Sequence, residues 1–155
     1  MGDIVADEVG GPAQWARCVV RRRTDARQNR IVPARLRPAD PAAVTGALGR
    51  VGDARAAGDP PAKADLRLLT KHFLAVLGEQ VPGRSVEVRV PPYAAVQCVE
   101  GVRHTRGTPP AVVETDAETW LALATGGLEW AAAVAAGRVH ASGERTDLTP
   151  YLPLL

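Results

Sequence analysis

The first apolar stripe with helical spacing lies between residues 42 and 55 and consists of Val44, Leu48 and Val51. The pair Asp40-Pro41 in front of it suits an N-cap followed by the first helical position. We therefore predict a helix over 42–55, although the three glycines within it each weaken it by about 1 kcal/mol relative to alanine.

A second and longer stripe predicts a helix that follows Asp59-Pro60-Pro61 and ends before Pro82. Its members are Leu66, Leu69, Phe73, Val76 and Leu77. The pattern then changes to alternation. Valines at every second position predict a half-solvated strand over 85–90, and the mixed segment 93–99 predicts a second strand that is covered on both sides.

The last third of the chain predicts a strand, two short helices and a return strand. The strand lies at 111–114, and Thr115-x-x-Glu118 has the spacing of a capping box, so that a helix begins near Ala117. A second helix covers 128–136, a strand covers 138–142, and the prolines of the segment 147–155 limit it to a short helical turn. These elements predict an α+β fold in which helices cover one face of a mainly antiparallel sheet.

Three groups of segments are distinctive: Ser85 to Gln97 with Glu100 to Pro110; Glu114-Thr115-Asp116 before a Trp-Leu helix that ends at Leu123-Ala124-Thr125-Gly126; and Gly137 to Gly143 with Leu152-Pro153-Leu154-Leu155. In these segments and in the order of its elements, the chain resembles the sterol carrier protein family, in its actinobacterial branch, over roughly residues 63–155. The resemblance has consequences for the fold and the ligand. It implies a five-stranded sheet covered by helices, with an apolar tunnel between the layers that takes acyl chains or sterols.

This branch is also found joined to mycothiol-dependent isomerases, whose metal-binding histidines reside in a separate helical bundle. The chain has no such bundle, so the isomerase activity is not carried over. No pair of its three histidines has metal-ligand spacing, and no nucleophile elbow, phosphate-binding glycine loop or Cys-x-x-Cys pair is present. The sequence therefore predicts a protein without catalytic residues, cofactor or metal.

Composition indicates what kind of core and which cellular compartment to expect. With one Phe, two Tyr and three Trp, the core must be built from Ala, Val and Leu. The net charge of +2 excludes a polycation, and two distant cysteines do not make a disulfide framework. No apolar run is long enough to span a membrane, and the first residues lack the pattern of an export signal. We therefore expect a cytoplasmic protein.

The first 38 residues have a different character and predict a basic, proline-punctuated arm that is loosely attached to a domain over 39–155. A short helix is an option at 13–23. Between Arg17 and Arg37 there are eight arginines and one acid, Asp25, which is a charge that attracts polyanions. Because aromatic residues for base stacking are almost lacking, binding of nucleic acid or an anionic surface is the weaker alternative function.

The main functional hypothesis is non-catalytic binding or carriage of an apolar ligand, such as a fatty acyl chain or sterol. The predicted ligand-contacting residues are Phe73, Leu77, Val96, Trp120, Leu123, Leu128, Trp130, Val134, Leu148 and Leu152. In the loop 100–110, Arg103, His104 and Arg106 are candidates for binding an anionic head group, with a plain solvated loop as the alternative. A collapsed tunnel in a protein-interaction or homodimerisation module is the competing hypothesis, because the same apolar spacing also encodes ordinary core.

Overall fold

The protein is described by a computed structural model over residues 36–101 and 111–155. These residues belong to one compact unit, Pro33–Leu155. The helices are α1 (Pro41–Ala57), α2 (Lys63–Gln80), α3 (Ala117–Ala124) and α4 (Trp130–Ala135), and the strands are β1 (Val86–Val90), β2 (Ala94–Cys98), β3 (Ala111–Thr115) and β4 (Val139–Ser142). A 3-10 turn follows at Thr149–Tyr151. The α+β class is thereby confirmed, whereas the predicted arm over 1–38, with its optional helix, lies almost wholly outside the described residues and stays a prediction.

The sheet differs from the prediction in its size and in one strand direction. The described residues form a four-stranded mixed sheet in the order β2-β1-β3-β4. β1 pairs antiparallel with β2 and parallel with β3, and β3 pairs antiparallel with β4. Five strands in a mainly antiparallel sheet are therefore not confirmed. Apolar alternation indicates which face of a strand is buried, but it does not identify the neighbouring strand or its direction.

Strand β1 shows that the sheet is covered on one face. Val86, Val88 and Val90 are fully buried, whereas Glu87 and Arg89 on the opposite face are half-buried. The prediction that β2 is covered on both sides is wrong, because Ala95 and Gln97 are exposed. β2 is an edge strand of the described sheet, and its outward-facing side chains have no second layer above them.

The long helix α2 lies on the buried face, and α1 packs on α2. α2 packs against β2, α3 and α1. Gly78 of α2 permits a close approach to the sheet, since a Cβ atom at this position would lie 2.8 Å from Val96 Cγ2. The predicted start of α1 is confirmed: Asp40 accepts a hydrogen bond from the Ala43 backbone N–H, and Pro41 is the first helical residue.

A bidentate ion pair joins α1 to α2. Arg50 Nη2 lies 2.6 Å from Asp65 Oδ1, and Arg50 Nε donates to Asp65 Oδ2 at 3.0 Å. The hydrogen bond from Arg50 holds the pKa of Asp65 below its ordinary value, although desolvation acts in the opposite direction. Asp65 is buried, so this pairing keeps its charge compensated.

The cap of α3 lies one residue later than predicted. Thr115 is the last residue of β3, and its hydroxyl donates to the Arg138 carbonyl. The N-cap is Asp116, whose carboxylate accepts a hydrogen bond from the Thr119 backbone N–H at 2.8 Å. The capping-box prediction on Thr115 and Glu118 is therefore wrong in its register, because Asp is also a strong N-cap residue and β3 extends through Thr115.

The strand directions define two ends of the sheet. β1 and β3 begin at one end, where β2 and β4 finish, and close contacts there join Gly143 to Ala111. A Cβ atom at Gly83 would lie 2.0 Å from the Val99 carbonyl oxygen at the same end. At the opposite end, β3 finishes at Thr115 and β4 begins at Val139.

Candidate functional site

The apolar layer between the sheet and the helices contains most of the predicted ligand-contacting residues. Phe73, Leu77, Trp120, Leu123, Trp130 and Leu148 are buried members of one hydrophobic cluster, and Val96, Leu128 and Leu152 are partly buried and pack against it. The structure thus brings together nine of the ten residues. Val134 is 41% exposed on α4 and lies outside the cluster.

Four of these side chains are completely covered. Phe73, Leu77, Trp120 and Leu148 each have 0% relative exposure. A side chain that borders a space of water size keeps some accessible surface, so protein atoms enclose these four on all sides. The layer is therefore closed around them, and their contact with a ligand stays a prediction that requires the layers to separate.

Two polar atoms inside the layer have no hydrogen-bond partner. Among the described residues, the buried side-chain atoms without a partner are Trp120 Nε1 and Thr70 Oγ1. Thr70 is fully buried on α2 and was not among the predicted site residues. Its spacing in the sequence predicts that it is buried, because it lies four residues after Leu66 and three before Phe73. Thr70 is thus a polar residue within the apolar stripe of α2.

A hydrogen-bonded network lies where β3 leads into α3. Thr119 donates its hydroxyl hydrogen to Asp116 and accepts a hydrogen bond from Arg138 Nε at 3.1 Å. Burial is the largest influence on Asp116 and raises its pKa, but hydrogen bonds from Thr119 and Glu118 and the charge of Arg138 together lower the pKa below its ordinary value. Asp116 is therefore held in its ionised form, as a capping residue requires.

A surface pocket of about 460 Å³ adjoins this network. Its lining includes two acidic and two basic side chains. The lining residues are Pro91, Glu114, Thr115, Asp116, Gly137, Arg138 and His140. Glu114 is the register partner of His140 across β3 and β4. Within the part of the chain that the structure describes, no group of three or more His, Cys, Asp or Glu side chains is arranged to hold a metal ion.

The predicted anion-binding residues Arg103, His104 and Arg106 lie outside the described residues, and their role stays a prediction. The described chain that leads to them is fixed by side-chain contacts to the backbone: Arg145 Nη1 donates to the Glu100 carbonyl at 2.8 Å, and Ser85 Oγ donates to the Val99 carbonyl at 2.7 Å.

The single described cysteine does not suggest a reactive site. Cys98 is free and fully buried, and burial raises the pKa of its thiol to about 11. A thiol of this kind is mostly protonated and is a poor nucleophile at neutral pH. No helix over residues 36–101 and 111–155 has the length and hydropathy that crossing a bilayer requires.

Comparison with known proteins adds one finding to this geometry. A family model described as a bacterial SCP ortholog, where SCP denotes sterol carrier protein, matches residues 62–154. The match covers the whole described sheet and all of α2, α3 and α4. A search of curated proteins gives no match.

Proposed function

Because this chain belongs to the bacterial family of sterol carrier protein orthologs, we propose that it binds or carries an apolar ligand between its sheet and helices. The ligand is a fatty acyl chain, a sterol or a related lipid, and the protein performs no reaction on it. It works in the cytoplasm as a carrier, and the buried cluster supplies the ligand-contacting surface.

The observation that supports this proposal is the continuous apolar layer on one side of the sheet. Three valines of β1 and Val113 of β3 have no exposure, and the buried side chains of α2 and α3 are apolar except for Asp65, Thr70 and Thr119. Ala, Val and Leu provide much of this layer. Small side chains of this kind leave room for an alkyl chain when the helices move by a short distance.

The partly exposed residues mark where the layers can separate. Val96, Leu128 and Leu152 lie at the border of the cluster. Burying about ten methylene groups of a ligand contributes about 8 kcal/mol, and association costs about 4 kcal/mol or more. The difference of about 4 kcal/mol corresponds to a dissociation constant of about 1 mM. Opening a closed layer adds to the cost, so we expect millimolar or weaker binding from the alkyl chain alone.

Lipid uptake by the delipidated protein tests the proposal. Native mass spectrometry is performed with a panel of fatty acids, long-chain alcohols and sterols, and saturable binding of one ligand per chain is expected. Leu123→Trp, which fills the layer, is expected to weaken uptake at least about tenfold, a difference of about 1.4 kcal/mol in binding free energy. Leu155→Trp is the matched control, because Leu155 is 76% exposed.

The milder variant Leu123→Phe is included in case Leu123→Trp does not fold. If folded Leu123 variants take up lipid as well as wild type does, Leu123 is ordinary core and its assignment fails. If wild type takes up no member of the panel, the carrier proposal fails as a whole.

A protein-interaction or dimerisation module is the second candidate function. It is favoured by the complete burial of Phe73, Leu77, Trp120 and Leu148, since a closed layer is what a purely structural core requires. Sedimentation equilibrium separates the two functions. A stable dimer without lipid uptake supports the module, and a monomer that takes up lipid supports the carrier.

A further inference from the structure

Trp120 Nε1 and Thr70 Oγ1 are polar atoms enclosed in an otherwise apolar layer. Both side chains have 0% exposure, and neither atom has a hydrogen-bond partner in the structure as described. They lie on α3 and α2, which pack against each other. Buried polar atoms in native proteins are nearly always hydrogen-bonded, so two such atoms in one layer require an explanation.

Thr70 differs from Thr45 in α1 and from Thr125 at the C-cap of α3. The hydroxyl of Thr45 donates to the Pro41 carbonyl at 3.0 Å, and that of Thr125 donates to the Leu121 carbonyl at 2.7 Å. Each therefore uses the carbonyl four residues earlier, which is the usual solution for a threonine without another partner. Thr70 makes no such bond, although it lies within α2.

The unpaired atoms lower the stability of the ligand-free protein and offer affinity to a ligand that pairs them. An unsatisfied buried donor loses its hydration without compensation. A ligand oxygen that reaches these atoms would restore the missing hydrogen bonds, because the indole N–H only donates and the hydroxyl both donates and accepts. The rest of such a ligand would lie against the apolar cluster.

The charges around the layer favour a neutral oxygen over a carboxylate. Among residues 36–101 and 111–155, the buried polar or charged side chains are Asp65, Thr70, Ser85, Thr115 and Thr119, and they include no cation. Asp65 lies on α2 with Thr70, and its carboxylate already pairs with Arg50, the cation next to it. A buried carboxylate without a cationic partner is strongly disfavoured.

We propose that Trp120 Nε1 and Thr70 Oγ1 are the polar end of the ligand site and bind the uncharged hydroxyl or carbonyl oxygen of an otherwise apolar ligand. This inference rests on the proposed carrier function and defines its ligand class: long-chain alcohols and their neutral derivatives, as opposed to fatty acids.

The test compares 1-hexadecanol with hexadecane and palmitate. Each compound is radiolabelled and supplied from cyclodextrin to the full-length protein, and its dissociation constant is measured by equilibrium transfer. The quantity compared between variants is the dissociation constant of hexadecane divided by that of hexadecanol. Differences in how the two compounds partition into cyclodextrin cancel in this comparison. Thr70→Val and Trp120→Phe are each expected to lower this ratio about tenfold, as the loss of a buried hydrogen bond requires.

Thr45→Val is the matched control and is expected to leave the ratio unchanged. Thr70→Val is also expected to leave the ligand-free protein as stable as wild type or more stable, because it removes an unpaired hydroxyl. A merely structural Thr70 would not combine this stability with a loss of alcohol preference. The indole ¹⁵N–¹H resonance of Trp120 is expected to shift with hexadecanol and not with hexadecane.

Three results would overturn the inference in distinguishable ways. An unchanged ratio in both variants, with lipid still bound, refutes the polar end and leaves the carrier function intact. An affinity for palmitate that depends on Trp120 and Thr70 refutes the neutral ligand class. Failure of wild type to bind any of the three compounds or any sterol of the earlier panel refutes the carrier function and this inference with it.

Discussion

Replacing Asp116 by alanine tests whether the network at the start of α3 holds this helix to the sheet. The substitution removes the N-cap acceptor of Thr119 and leaves the buried Thr119 hydroxyl without its acceptor. Loss of an N-cap costs about 1 kcal/mol and at most about 2. Loss of a hydrogen bond to a charged group adds a comparable amount. We therefore expect the free energy of unfolding to fall by about 2 kcal/mol.

Urea unfolding at neutral pH, followed by circular dichroism, measures this change. Asp53→Ala is the matched control, because Asp53 is exposed within α1. Its replacement is expected to raise stability slightly, by up to about 0.7 kcal/mol, since alanine has the higher helix propensity. If the free energy of unfolding falls in Asp116→Ala and rises in Asp53→Ala, the loss of stability comes from the missing cap and not from the removal of a negative charge.

A double-mutant cycle with Thr119→Val isolates the coupling between the two side chains. Because Thr119 links Asp116 to Arg138, we expect the two substitutions to be non-additive by about 1 kcal/mol.

The lowered pKa of Asp116 predicts a pH dependence of stability as a second test. Its stabilisation is complete above the pKa of an unfolded aspartate and declines as the pH falls below about 4. Additivity within about 0.3 kcal/mol, or a cost equal to that of Asp53→Ala, would refute the network.

Two further perturbations follow from the described contacts. Gly83→Ala is expected to lower the urea midpoint strongly, because the new Cβ would clash with the Val99 carbonyl oxygen. Gly52→Ala has no atom within 4 Å of its Cβ position and is expected to raise the midpoint by an amount equivalent to about 1 kcal/mol. Similar midpoints for the two variants would contradict the clash. His72 Nδ1 accepts a hydrogen bond from the Ala39 N–H, and burial lowers the pKa of His72, so its contribution to stability is fully present above about pH 6.5 and declines below it. His72→Asn keeps an acceptor that does not titrate, so we expect its melting temperature to vary less between pH 7.5 and 5.5. A pH profile equal to that of wild type would contradict this role.

The helices were predictable because their signals are local. Asp40 and Pro41 begin α1 as expected, and α2 ends before Pro82, since caps and prolines act within a few residues of their own position. The register of the α3 cap was not predictable. Thr115 and Asp116 are adjacent and both can cap a helix, and only the pairing of β3 with β4 assigns Thr115 to the strand.

The candidate site was predictable only in its membership. Helical spacing identified Phe73, Leu77 and Trp120 as buried together, because periodicity reports which face of a helix is covered. It does not report what covers that face, so the complete enclosure of these side chains could not be inferred. The unpaired state of Thr70 Oγ1 depends on three-dimensional hydrogen bonding and has no counterpart in the sequence pattern.

The parallel pairing of β1 with β3 separates the start of β3 from the pocket beside Asp116 along the sheet. Because β2 returns to the end at which β1 begins, Gly101 and Ala111 are both at that end. The pocket beside Asp116 lies at the other end, one five-residue strand away, or about 17 Å. A group bound in this pocket is therefore held apart from Gly101 and Ala111 by the whole length of β3.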